Sequence, residues 1–208
     1  MKKSFAFTLL AAAALCGAQI CQAQAKKNVN EANKLAREGA DAAKSQEWDK
    51  AVDLLRKATE LDKKYADELA AVYQQQGYAA ASEQRYPDAI AAYSEALKLT
   101  PQDVRIYEQR AAVEMKANDS DKALADYSEA IKLKPNEVRY LNYRAYIYET
   151  KVDLKNSMAD TEKVLKVDPK NQEALSRKQR LEARQSANAP LPPPPASRGT
   201  SPAAGRTP

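Results

Sequence analysis

The sequence predicts an all-α solenoid built from antiparallel helix pairs, and three observations carry that expectation. A phrase recurs with a fixed period: DAIAAYSEALKLTP at 88–101, KALADYSEAIKLKP at 122–135 and NSMADTEKVLKVDP at 156–169. Each copy closes on a proline, so Pro101, Pro135 and Pro169 stand 34 residues apart. A period of that size marks one supersecondary unit stacked on itself. Small residues also recur at fixed offsets: Gly39, Gly77, Ala111 and Ala145 in the first half of the unit, then Ala51, Ala89, Ala123 and Ser157 in the second. A further row, Ala58, Ala96, Ala130 and Val164, follows one offset later. Small side chains let two helix backbones approach where a larger residue would overpack the contact. No stretch shows the polar–apolar alternation and β-branched enrichment of a strand.

Taken in order, the helix pairs fall near 28–44 and 48–61, 66–84 and 87–99, 104–117 and 121–133, and 138–150 and 155–167. Pro87 sits in the first turn of its helix, where a missing N–H costs nothing. Asn118-Asp119 supplies a turn that tolerates a left-handed residue. Thr100-Pro101, Lys134-Pro135 and Asp168-Pro169 end helices, because the residue before proline avoids helical backbone angles. Ala51 and Ala89 are 38 residues apart rather than 34. The four extra residues predict a longer first helix in the second repeat, drawn from 62–72. A last helix near 172–186 caps the apolar face of the final pair. Each repeat is rich in alanine and unstable alone; stacking makes the core continuous.

These offsets resemble the tetratricopeptide repeat, whose pattern runs Trp-x2-Leu-Gly-x2-Tyr, then Ala-x3-Phe, then Pro. The resemblance covers four repeats, about 32–65, 70–103, 104–137 and 138–171, of an exported bacterial type. Leu35, Tyr73, Tyr107 and Leu141 stand at the tryptophan position, and Leu55, Tyr93, Tyr127 and Thr161 fill between the helices. At the leucine position stand Glu38, Gln76, Arg110 and Arg144, which calls for a partly solvated site or cover by a long aliphatic stem. The resemblance implies a right-handed superhelix whose first helices line a concave face holding a peptide. Helical spacing then places Asn33, Arg37 and Lys44, Gln74, Gln75 and Tyr78, Arg105, Gln109 and Lys116, and Arg139, Asn142, Tyr143 and Tyr146 in that groove. Glutamine and asparagine pair with peptide backbone, tyrosine offers flat amphipathic area, and arginine grips a carboxylate in a fork. Arg105 and Arg139 occupy equivalent places, so a protein or peptide with an acidic or C-terminal carboxylate group is the expected partner. The Lys and Asn with which one subset of the family clamps chaperone C-termini are replaced here by Ala36 and Ala40.

The two ends differ from the repeats. Residues 1–25 combine Lys2 and Lys3, an apolar run from Phe5 to Leu15 and an Ala-x-Ala ending at Ala25, the layout of a secretory signal peptide. The expected product is periplasmic or secreted, begins at Lys26 and has no transmembrane segment, since that run is too short to span a bilayer. Cys16 and Cys21 leave with the signal, so neither a disulfide nor a thiolate site is expected. At the other end, 187–208 is proline-rich and reads as a disordered tail, with Pro192–Pro195 favouring polyproline II.

The chain has no histidine, which excludes Ser-His-Asp and Cys-His arrangements and histidine-ligated metal. No glycine-rich phosphate loop occurs. We therefore expect no enzyme, no cofactor and no metal. Loss of Lys2 and Lys3 lowers the formal net charge by two, from +5 to +3, with both signs interleaved, so nucleic acid is not the expected partner. The reading is an exported, non-enzymatic adaptor or scaffold. Its alternative is a structural envelope component attached through Arg177, Lys178, Arg180 and Arg184 of the last helix and the proline-rich tail.

Overall fold

The computed structural model describes residues 3–187, and the described residues form helices joined by short turns, with no strand among them. In order these are α1 (Lys3–Lys44), α2 (Trp48–Leu61), a single 3-10 turn (Lys63–Tyr65), α3 (Ala66–Ser82), α4 (Tyr86–Leu99), α5 (Val104–Lys116), α6 (Ser120–Leu133), α7 (Val138–Thr150), α8 (Leu154–Val167) and α9 (Gln172–Ala187). Odd helices pack on the even helix that follows, and each even helix packs on the next odd one, as a solenoid requires. The four inserted residues lengthen α3, which has 17 residues against 13 in α5 and in α7. The tail expected beyond α9 falls on residues 188–208, outside the described residues.

One helix start differs from expectation. Helix α1 does not begin near residue 28 but runs unbroken from Lys3. The polarity changes at Lys26, but neither proline nor glycine lies between Ala18 and Glu38 to stop a helix. Among the described residues no helix is long and apolar enough to cross a membrane.

The turn inside each repeat is the same device four times. Gln46, Gln84, Asn118 and Val152 all adopt left-handed backbone, with φ of 60 to 61°. The next amide then reaches back along the first helix, as in Glu47 N–H to Ala42 O at 2.9 Å and Asp119 N–H to Glu114 O at 2.8 Å. This satisfies the orphan carbonyls of the first helix and reverses the chain for the second. Close approach explains the glycines. A Cβ on Gly39 would lie 2.8 Å from Leu55 Cγ, and one on Gly77 would lie 3.0 Å from the Tyr93 ring.

The apolar core is largest over α1–α4, gathering Leu55, Leu69, Val72, Tyr73, Tyr93 and Leu97 around the small residues. Toward the C-terminus polar contacts take over. Ser157 donates its hydroxyl across to Ala145 O at 2.8 Å, and Thr161 donates to Ser157 O at 2.7 Å, all buried. The residues least like the repeat consensus are thus hydrogen-bonded where earlier repeats use alanine and tyrosine.

The leucine-position arginines are not merely covered by solvent or stem. Arg110 forks onto Asp126 with two bonds of 2.7 Å and extends its third nitrogen to Ser94 at 2.9 Å. Arg144 repeats this on Asp160 and Ser128. Each fork joins the first helix of a repeat to its own second helix and to that of the preceding repeat. In the second repeat Gln76 and Ala92 stand in those places. There the cation comes from α2 instead, and Arg56 donates to the Tyr73 hydroxyl at 2.9 Å.

Candidate peptide groove

The first helices of the repeats present two open clefts along one face. The first, about 470 Å³, is lined by Gln46, Trp48, Gln74, Gln75, Tyr78, Ser82, Glu83 and Gln109. It opens between the last turn of α3 and the α1–α2 turn, beside Gln109 of α5. Gln74 donates to Gln109 at 2.5 Å, which ties α3 to α5, and both side chains line the cleft. Trp48 begins α2 and packs its ring on the apolar core.

A second cleft of about 440 Å³ is lined by Glu108, Ala112, Met115, Tyr127, Tyr143, Tyr146, Ile147 and Glu173. Its floor is Tyr127, a buried α6 side chain stacked on Tyr143 with ring centroids 5.3 Å apart. Burial pushes the Tyr127 phenol far above its ordinary pKa, so it stays neutral. Tyr143 and Tyr146 form the rim. Tyr78, Tyr143 and Tyr146 are 67, 45 and 49 % exposed, and they are the tyrosines among the exposed large apolar side chains.

The structure therefore brings Gln74, Gln75, Tyr78 and Gln109 together in one cleft and Tyr143 and Tyr146 in the other. Arg37 lies at the far end, on α1, exposed beside Asn33 and making no ion pair among the described residues. Asn33 accepts from Lys64 Nζ at 3.1 Å and from the Tyr65 hydroxyl, and Lys44 pairs with Asp41 at 2.8 Å. Lys116 is exposed at the end of α5.

The two arginines expected to share a ligand carboxylate each have a carboxylate of their own. Arg105 folds back in a fork on Asp103, at 3.1 and 2.8 Å, and holds that carboxyl below the usual range. Arg139 pairs with Glu108 at 2.9 Å and lies over the Tyr140 ring.

Asn142 is not open to the groove. It is 8 % exposed and accepts from Arg177 Nη1 at 3.0 Å, because α9 seats there as the first helix of a further half-repeat. Arg177 itself is 1 % exposed, held also by Glu173 at 2.5 Å. Arg180 forks onto Glu149 at 3.1 and 3.0 Å, pulling the Glu149 carboxyl below its ordinary pKa. Two of the four cations of the expected basic patch thus belong to the α7–α9 contact. Aligning α9 with the earlier first helices puts 177 one repeat beyond 143, a signal present in the sequence.

An array of antiparallel helix pairs with an open face lined by its first helices defines a tetratricopeptide-type solenoid. Residues 21–186 match the family described as the ETO1 C-terminal domain, and the chain belongs to that family. Among solved structures it is similar to the Arabidopsis OM64 TPR domain, at 26% identity and a TM-score of 0.51, over 57% of this chain and 98% of that one. A tetratricopeptide repeat protein from Parabacteroides merdae is similar at 20% identity and a TM-score of 0.58, over 76% of this chain and 61% of that one. The first TPR of Spaghetti (RPAP3), solved bound to the HSP90 peptide SRMEEVD, is similar at 20% identity and a TM-score of 0.52, over 58% of this chain and 95% of that one. No curated protein matches the chain significantly.

Proposed function

We propose that this chain is a non-enzymatic adaptor that holds an extended protein segment in its concave groove, and that it acts in the periplasm or outside the cell after signal removal near Ala25. One observation carries the groove reading. The exposed tyrosines Tyr78, Tyr143 and Tyr146 all stand on the first helices, in clefts that also hold the Gln74, Gln75 and Gln109 side chains and the buried Tyr127 phenol. Exposed aromatic area costs solvation unless a partner covers it, and tyrosine loses little rotamer entropy when it is covered. Gln74, Gln75 and Gln109 supply donors and acceptors for the backbone of an extended ligand. Export rests on the layout of residues 1–25 alone.

The finer part of the reading concerns charge. A ligand carboxylate meets Arg105 or Arg139 only by exchanging with Asp103 or Glu108, whereas Arg37 is unengaged among the described residues. An acidic or C-terminal carboxylate on the partner is therefore proposed at the α1 end of the groove. The acidic peptide on the RPAP3 domain supports that ligand class and nothing more specific.

The test uses the full chain as bait for crosslinked envelope proteins, followed by titration of the recovered partner. Tyr143→Ala with Tyr146→Ala is expected to weaken binding at least tenfold with helicity unchanged. Equal affinity for both chains would remove the groove from the account. Arg37→Ala is expected to weaken binding and flatten its salt dependence.

A further inference from the structure

We propose that the tyrosine cleft is a selective pocket for one large uncharged side chain of the bound segment, leucine-like or phenylalanine-like, and that Ala112 is the residue that opens it. The inference rests on the groove reading above and names what that groove selects.

The register of the repeats accounts for the cleft. The residue after each small position Gly39, Gly77, Ala111 and Ala145 is exposed in every repeat, and it reads Ala40, Tyr78, Ala112 and Tyr146. Alanine and tyrosine thus alternate along one row of the groove. At Ala112 the row lacks the ring that the repeats before and after it carry, and the cleft of about 440 Å³ lies there, between α5 and α7. Tyr127 closes it from below, and Tyr143, Tyr146, Met115 and Ile147 complete an apolar lining. The gap at Ala40 differs, since Asn33, Arg37, Tyr65 and Glu68 line it and give it polar walls.

Charge decides what the Ala112 gap accepts. Its two carboxylates are already paired: Glu108 holds Arg139 at 2.9 Å, and Glu173 holds Arg177 at 2.5 Å. Among the described residues no lysine or arginine lines the cleft, and the Tyr127 phenol stays neutral. An incoming carboxylate or ammonium would lose hydration there and find no free counter-charge. An aliphatic or aromatic side chain instead covers the tyrosine rings, Met115 and Ile147 and releases the water on them. Met115, unbranched and polarisable, adapts to either shape. The glutamine cleft, beyond α5, offers amides for a peptide backbone. The two clefts therefore divide the ligand, with backbone held at one and a single anchor side chain seated at the other.

The probes are capped pentapeptides, acetyl-Gly-Ser-X-Ser-Gly-amide, with leucine, phenylalanine, alanine, lysine or glutamate at X. The reporter is the Met115 methyl resonance of the full chain, assigned with Met115→Leu. Titration to millimolar concentration is expected to shift that methyl with the leucine and phenylalanine probes, which bind about tenfold or more tighter than the alanine probe. The lysine and glutamate probes are expected to leave it in place. Ala112→Tyr, which continues the tyrosine row at an exposed position, should abolish the response with the melting temperature unchanged, and Ala112→Ser, which keeps the gap open, should retain it. The ranking of probes on the natural chain stands as a test even where Ala112→Tyr fails to fold. A Met115 methyl that no probe shifts, equal responses to the leucine and glutamate probes, or a folded Ala112→Tyr chain that responds like the natural one would each overturn the proposal. Those results leave the groove reading standing as long as the Tyr143→Ala, Tyr146→Ala chain still loses its captured partner.

Discussion

The Arg144 guanidinium grips the Asp160 carboxylate through two parallel hydrogen bonds, of 2.7 and 2.8 Å, in a site from which the aspartate is almost wholly withdrawn from water. The same pair occurs one repeat earlier between Arg110 and Asp126. Because each arginine also reaches a serine on the preceding repeat, the forks couple neighbouring repeats and not only the two helices of one. Removing one partner strands a buried charge, which costs about 3–5 kcal/mol, whereas replacing both by apolar residues is close to neutral. Arg144→Ala is accordingly expected to lower unfolding free energy by that amount in urea titration. Arg144→Leu combined with Asp160→Leu is expected to recover most of it, and a double variant as unstable as the single one would contradict this account of the fork.

Glu114 gives the fold a pH dependence. It is buried on α5, with Oε1 3.9 Å from Arg110 and Oε2 without a hydrogen-bond partner. Burial, reinforced by the Asp126 carboxylate, pushes its carboxyl up from 4.5 to about 7. The folded chain therefore keeps this proton to about pH 7, while the unfolded chain releases it near the ordinary value. Stability falls as the pH rises between those limits and is level above them. At about 1.4 kcal/mol per pKa unit the contribution is roughly 3 kcal/mol. Glu114→Gln is expected to flatten that slope and to raise the melting temperature at about pH 8 while leaving it nearly unchanged at about pH 4. A natural chain whose stability rises between about pH 5 and pH 7 in step with the variant would exclude this role.

Val152 carries a backbone conformation that its side chain opposes. It is a β-branched residue at φ 61°, exposed at the turn where the third repeat has Asn118. Left-handed backbone costs an ordinary residue about 1–2 kcal/mol, and asparagine less. Val152→Asn is expected to stabilise the chain by roughly 1 kcal/mol, read as a higher denaturant midpoint with an unchanged slope. A lower midpoint would mean that Val152 packs more than it strains.

The repeats, their helix limits and the lengthened α3 are legible in the sequence because their signals are local: prolines after helices, small residues where backbones meet, a four-residue excess in one interval. The same helical spacing places Gln74, Gln75, Tyr78 and Gln109 in one cleft. The forks are less legible. Arg110 is visible as a departure from the consensus, but its partner lies 16 residues away on another helix, and only the equal spacing of Arg144 from Asp160 betrays the pair. Asn142 departs from its expected place for a related reason. Its partner Arg177 belongs to α9, whose composition suggests a solvated basic helix but which acts as the next first helix of the stack. The start of α1 is obscured because the chain changes polarity at Lys26 without changing its helix propensity.

The central claim is that the partner lies on the face formed by the first helices, and crosslinking from two positions in the living cell tests it most directly. Gln75 is exposed in the glutamine cleft, and Asp53 is exposed on the opposite side, in the cleft between α2 and α4. With benzoylphenylalanine at each in turn, the account predicts a discrete crosslinked partner protein from position 75 and none from position 53. The same partner crosslinked from 53 and not from 75 would contradict it.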